Sequence, residues 1–121
     1  MLLKDFYSVI STKRNEGQFF TEIKIRKDHD LYKGHFPDRP VTPGVILMQM
    51  FKEELERQTG KNLQFSKANN VKFMAVVDPN VDDVLVLESE IEETAEALHL
   101  KGVARHNGCL ALKINASYNW V

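Results

Sequence analysis

The sequence predicts a single α+β domain, residues 1–121, in which a curved antiparallel sheet wraps around one central helix. Three observations predict it. The run Val45-Ile46-Leu47-Met48, opened by Gly44, is apolar on every side of a helix, and such a helix has to be enclosed by other structure. Three long segments, 84–93, 96–106 and 109–120, alternate apolar and polar residues with the period of half-buried strands. Between the last two, His106-Asn107-Gly108-Cys109 carries the Asn-Gly pair of a tight hairpin turn. A sheet with one apolar face and a helix that needs covering satisfy each other.

Taken in order, Leu2, Leu3, Phe6 and Ile10 fall near helical spacing, so residues 1–17 read as an N-terminal arm or short amphipathic helix ending in the turn Asn15-Glu16-Gly17. Phe19, Thr21, Ile23 and Ile25 alternate with Phe20, Glu22, Lys24 and Arg26, which is a strand. From Asp28 to Pro43 there are charges, glycine and prolines but no period; a loop this long in a compact domain is usually functional or disordered, and its prolines stiffen it. A helix over 44–59 follows, with Pro43-Gly44 at its first turn and Gly60 as its stop. Its far half carries Lys52, Glu53, Glu54, Glu56 and Arg57, so that end is expected to meet water. Residues 70–77 alternate, with Val71, Phe73, Ala75 and Val77 on one side, until Asp78-Pro79-Asn80 breaks the pattern. The last strand places Leu110, Leu112, Ile114, Ala116, Tyr118 and Trp120 on one face.

Composition excludes several classes. Hydrophobic residues make up 43%, enough for a core, yet a domain this small leaves apolar surface that favours a subunit interface. The net charge of −1 argues against a nucleic-acid binder. No run approaches the roughly 18 apolar residues of a membrane span, and Met1–Tyr7 carries charges too early for a signal peptide, so a cytoplasmic protein is expected. The lone Cys109 forms no disulfide within the chain and reads as a buried, inert thiol. His29 with Asp28, Asp30 and His35 matches no standard ligand set, so no metal and no cofactor are expected. His99 and His106 lie in strands, read as surface positions. Lys33, Arg39, Lys67 and Lys72 are candidates for attracting an acidic partner, or ordinary solvated cations.

The chemistry concentrates in Gly34-His35-Phe36-Pro37-Asp38-Arg39-Pro40-Val41-Thr42-Pro43-Gly44-Val45. One imidazole sits in a proline-framed loop that runs into a helix N-terminus. An imidazole titrates near neutral pH and can take and return a proton. The unpaired N–H groups of a helix start can hold a developing oxyanion. The next polar residue in the helix is Gln49, where such a site gains most from a carboxylate. Plainer readings stand beside these. His35 can be a loop histidine bonded to backbone, Gly44 can serve close packing alone, and Gln49 can be a buried amide satisfied by a carbonyl. Met48, Met50 and Phe51 are core residues before they are a substrate box.

This string resembles the signature of the beta-hydroxyacyl-[acyl carrier protein] dehydratases, which have the hotdog fold. Lys67-Ala68-Asn69-Asn70-Val71-Lys72-Phe73 with Val76-Val77-Asp78-Pro79, Lys101-Gly102-Val103-Ala104 and the Asn107-Gly108 hairpin are similar to later parts of that family. The resemblance runs from about Gln18 to the C-terminus. It implies a 3-hydroxyacyl thioester in a tunnel between two subunits, presented by an acyl carrier protein on phosphopantetheine, in fatty acid or polyketide-type synthesis. It implies His35 as the base on carbon 2, the Gly44 amide on the thioester carbonyl, and Phe36, Pro43, Val45 and Met48 against the substrate. The family's second catalytic group is a helix carboxylate from the opposite subunit, and at the matching position this chain has Gln49. An amide hydrogen-bonds a hydroxyl but delivers no proton.

Three readings follow. Glu53, one turn beyond Gln49 on the same face, takes over and is grouped with the substrate contacts. Or the chain pairs with a related hotdog chain that supplies the acid, a heterodimer in place of a homodimer. Or it binds acyl thioesters without dehydrating them. The leading expectation is a dehydratase, a lyase; a non-catalytic acyl-binding subunit is the alternative from another class. A hotdog thioesterase is the enzyme alternative, and Gln49 argues against it too, since that chemistry wants a carboxylate to activate water.

Overall fold

The computed structural model describes residues 3, 5–30, 32 and 41–121. Most of the proline-framed string, including His35 and Phe36, lies outside the described residues.

Six strands and one helix make the domain. In chain order they are β1 (Tyr7–Asn15), β2 (Gln18–Ile25), α1 (Gly44–Thr59), β3 (Leu63–Phe73), β4 (Val84–Glu93), β5 (Ala97–His106) and β6 (Cys109–Trp120). They form one antiparallel sheet in the order β1-β2-β4-β5-β6-β3. The β5–β6 hairpin pairs His106 with Cys109, leaving Asn107 and Gly108 as the two turn residues. Both have positive φ, 51° and 76°, which the turn demands and this residue pair tolerates.

The helix lies on one face of the sheet. Its Leu47, Met50, Phe51 and Leu55 are fully buried among Ile23, Ile25, Leu85, Leu87, Leu98, Leu100, Leu112 and Ile114. Each such side chain contributes roughly 1.5–3 kcal/mol of burial, which fixes the helix on the sheet. The helix ends where Gly60 turns left-handed at φ 70° and donates its N–H to the Glu56 carbonyl.

The chain start differs from the helix that the spacing of Leu2, Leu3, Phe6 and Ile10 predicts. Tyr7–Asn15 is a strand, preceded by turns that bury Leu3 and Phe6, while Ile10 is exposed. The strand expected over 70–77 in fact runs Leu63–Phe73. Its residues are nearly all exposed on both faces, so no alternation marks it.

Other expectations are corrected by burial. Glu53 and Glu54 do not meet water; both are 3% exposed. Glu54 is held by Arg57, whose Nε and Nη2 donate to Oε1 at 2.9 and 2.7 Å, and by the Tyr7 hydroxyl, which donates to Oε2 at 2.8 Å. Burial, and then the Glu54 charge, push the Tyr7 phenol far above its ordinary range, so it stays a donor and ties β1 to the helix. His106 is buried: its Nε2 lies 3.1 Å from the Asp78 carbonyl and 2.8 Å from that of Asp82, which pins the segment before β4. Cys109 is exposed at the hairpin. The helix start is not enclosed within this chain, since Val45 is 69% exposed.

Candidate active site

The helix N-terminus is an uncapped donor site. Pro43 occupies the N-cap with extended backbone, φ −60° and ψ 146°, and supplies no side-chain hydrogen bond. Its carbonyl accepts the N–H groups of Ile46 and Leu47 at 3.0 and 3.3 Å. The first turn holds no acidic residue. The amides of Gly44 and Val45 are therefore the donors of this helix left without a partner among the described residues, with its positive dipole end behind them.

The position of Gly44 has a second cause. A Cβ there would stand 2.2 Å from Cε1 of Phe73, the last residue of β3. The aromatic ring thus rests directly on the first helical residue, and the helix start and the strand end fix each other. A backbone amide needs no particular side chain to stabilise an oxyanion, so the crowding at Gly44 comes from the ring. Gly44→Ala is expected to push the half-exposed ring off the helix start and destabilise the chain by roughly 1 kcal/mol, the low end for overpacking, and Phe73→Ala to relieve that added penalty. A double-mutant cycle of urea midpoints checks it. Strictly additive costs refute the contact as the cause.

Ahead of the helix, the described residues Tyr32 and Thr42 hold each other. The Tyr32 and Thr42 hydroxyls lie 2.8 Å apart, buried, and the Thr42 N–H donates to the Val77 carbonyl at 2.9 Å. Phe6 stands edge-on to His29, centroids 5.3 Å apart, and 5.6 Å from the Tyr32 ring. The segment between these anchors is the one that carries His35.

One turn into the helix, a cavity of about 190 Å³ opens between α1 and the β3–β6 edge of the sheet. Val45, Met48, Gln49 and Lys52 line it from the helix, Phe65 and Tyr118 from the sheet. The structure thus brings together three residues the sequence singles out, Val45, Met48 and Gln49, and adds three it does not. Phe65 and Tyr118 are directly paired across β3 and β6, a register no local pattern reveals. Burial pushes the Tyr118 phenol up to about 12, so at neutral pH it is an uncharged donor.

Glu53 does not line this cavity. It lies behind Gln49, and its Oε2 accepts the Gln49 Nε2 at 3.0 Å and the Leu3 N–H at 3.1 Å. Its other oxygen, Oε1, is buried with no hydrogen-bond partner among the described residues. Pro43 stands at the N-cap, just ahead of the cavity, while the placement of His35 and Phe36 relative to it lies outside the described residues. No group of His, Cys, Asp and Glu able to hold a metal is found among the described residues.

A family model described as ApeI-like, ApeI dehydratase, matches residues 11–111. The 3-hydroxyacyl-[acyl-carrier-protein] dehydratase FabZ of Proteus mirabilis (strain HI4320) is 30% identical over 107 residues, covering 79% of this chain and 70% of that protein. The FabZ of Pectobacterium atrosepticum is 28% identical with the same coverage. Among solved structures, the dehydratase heterocomplex ApeI:P from Xenorhabdus doucetiae superimposes with a TM-score of 0.75 at 18% identity, covering 93% of this chain and 96% of that one. A hypothetical thioesterase from Streptococcus pneumoniae TIGR4, solved with coenzyme A, gives 0.62 at 11% identity, with 98% and 90% covered. Both structural likenesses establish the hotdog fold.

Proposed function

The chain belongs to the ApeI-like dehydratase family, and on that premise we propose that it acts on 3-hydroxyacyl thioesters, carried by an acyl carrier protein, at the cavity between α1 and the β3–β6 edge. The observation that carries this reading is the placement of an uncapped helix N-terminus and Gln49 along one side of a mostly apolar cavity. An acyl chain needs the apolar walls, and a thioester carbonyl needs the orphan amides. In the reaction, the His35 imidazole removes a proton from carbon 2 while the Gly44 amide stabilises the enolate-like oxygen. The bond from carbon 3 to its hydroxyl then breaks, and the hydroxyl leaves as water with a proton that, in the chain alone, only the protonated imidazole has to return. The trans-2-enoyl thioester remains. Gln49 lies on the cavity wall but has no acidic proton to give.

A second chain completes the site in this proposal. Val45, Phe65, Phe73, Met74 and Val76 are all exposed apolar side chains at the helix start, along β3 and just beyond it. β3 is an edge strand, with one side unpaired within the domain. A related hotdog chain bearing a helix carboxylate, seated there, is the partner this surface favours, and the ApeI:P assembly is a heterocomplex by its own description.

Hydration of a short trans-2-enoyl thioester, carried on the acyl carrier protein and on a small thiol, tests the reading. Slow hydration by the chain alone is expected, lost in His35→Ala. Activity that survives removal of His35 rules out this mechanism. A chain that neither binds nor hydrates any such thioester, alone or with a carboxylate-bearing partner, rules out the substrate class.

A further inference from the structure

We propose that Glu53 is a positioning residue that turns the Gln49 amide so that the site selects ligands with a hydroxyl on carbon 3 over the dehydrated enoyl form. The inference rests on the acyl-thioester reading and concerns what the site distinguishes, not whether it turns over.

The argument starts from hydrogen-bond polarity. A backbone N–H only donates, so the Leu3 amide at 3.1 Å makes Glu53 Oε2 an acceptor. The Gln49 amide meets the same oxygen at 3.0 Å. Both bonds use Oε2 as the acceptor, and only the NH₂ end of Gln49 can donate to it. The carbonyl end, Oε1, points away from Glu53, accepts no hydrogen bond among the described residues, and is not among the enclosed polar atoms without a partner. With Nε2 held by Glu53, Oε1 is the polar atom left to Gln49 for a ligand in the cavity the residue lines.

An amide free to rotate would present either end and discriminate little. Held by Glu53, it presents an acceptor alone. A 3-hydroxyl donates to it; the enoyl product has no donor there. The other polar groups lining the cavity, the Lys52 ammonium and the neutral Tyr118 hydroxyl, are donors, so Gln49 supplies the only side-chain acceptor among the described lining residues that is not also a donor. Glu53 is buried and reaches the ligand only through Gln49, which gives a reason for keeping this carboxyl in the interior.

Equilibrium binding of the 3-hydroxyoctanoyl and trans-2-octenoyl N-acetylcysteamine thioesters to the full chain tests this, in a His35→Ala background that stops turnover. The expected preference for the hydroxyacyl form is about fivefold, the equivalent of one neutral hydrogen bond. Glu53→Met removes the acceptor and is expected to bring the ratio to about one while the enoyl affinity holds. Glu53→Gln, whose own carbonyl can accept from both Leu3 and Gln49, is expected to restore the preference. A merely structural role would move both affinities together and would not be rescued in their ratio. If Glu53→Met fails to fold, Gln49→Met is expected to bring the ratio to about one, whatever it does to the two affinities. Equal binding of the two thioesters by the parent chain, or a preference unchanged in both Met variants, overturns the inference alone. Binding of neither thioester overturns the acyl-thioester reading and this inference with it.

Discussion

Exchanging the two polar residues of the helix, Gln49→Glu together with Glu53→Gln, is expected to raise dehydratase turnover by on the order of 10²-fold. That is the lower end of what one acid/base group contributes. The geometry says why both changes are needed. Gln49 Nε2 and Glu53 Oε2 are 3.0 Å apart, so Gln49→Glu alone sets two carboxyl groups against each other in a buried position. Like charges that close cannot both ionise, and one must keep its proton. The single variant is therefore expected to be less stable than the exchanged chain. In the exchanged chain the hydrogen bond is retained with its direction reversed, and residue 53 still offers an acceptor to the Leu3 N–H. The carboxyl then stands at the cavity wall, where the leaving hydroxyl of the proposed substrate lies. Steady-state rates on a 3-hydroxyacyl thioester, with urea midpoints for all three variants, check it. An exchanged chain that folds as well as the parent but turns over no faster would show that residue 49 does not face the reacting atoms. A gain that persists after His35→Ala would separate the new acid from the proposed base.

Phe6→Ala is expected to cost about 3–5 kcal/mol, the usual range for deleting a buried aromatic ring. Phe6 is fully buried despite standing near the chain start. It touches His29 and Tyr32 with its ring, and its carbonyl accepts the Arg26 N–H at 2.8 Å. The Tyr32 hydroxyl in turn meets Thr42, which leads into the helix. Removing the ring thus loosens the approach to the helix start at Thr42 as well as the core. Chemical denaturation measures the stability. Hydrogen exchange measures the approach, with the Thr42 amide, bonded to the Val77 carbonyl, expected to exchange well below the unfolding midpoint. A variant that unfolds earlier but leaves the Thr42 amide protected would confine Phe6 to the core.

What was legible in the sequence divides along the sheet. β2, β4, β5 and β6 are internal strands with one face on the helix, and their alternation gives them away. The two elements misplaced by sequence, β1 and β3, are the two edges of the sheet. An edge strand pairs on one side only, and both of these expose nearly every residue within the domain. Nothing then enforces alternation, and incidental spacing such as Leu2, Leu3, Phe6 and Ile10 can mislead. That Val45, Met48 and Gln49 lie together along the candidate site was legible because they follow one another along a single helix. Phe65 and Tyr118 were not, since their meeting depends on the β3–β6 register. Glu53 and Glu54 read as solvent-facing because composition cannot foresee Leu3, Gln49, Tyr7 and Arg57 converging to satisfy them.

The exposed thiol at the β5–β6 hairpin has a practical use. Cys109 is the only cysteine of the chain, and it stands at the opposite end of β6 from Tyr118. Nine residue steps separate them, about 30 Å along the strand at 3.3 Å per residue. A maleimide spin label on Cys109 therefore sits far from the cavity and needs no engineered attachment point. In an assembly of two chains, the separation of two such labels is a ruler across the interface. Pairing along β3 and pairing along β1 would give different label-to-label distances, so one pulsed dipolar measurement on the unmodified sequence tells which edge of the sheet meets its neighbour.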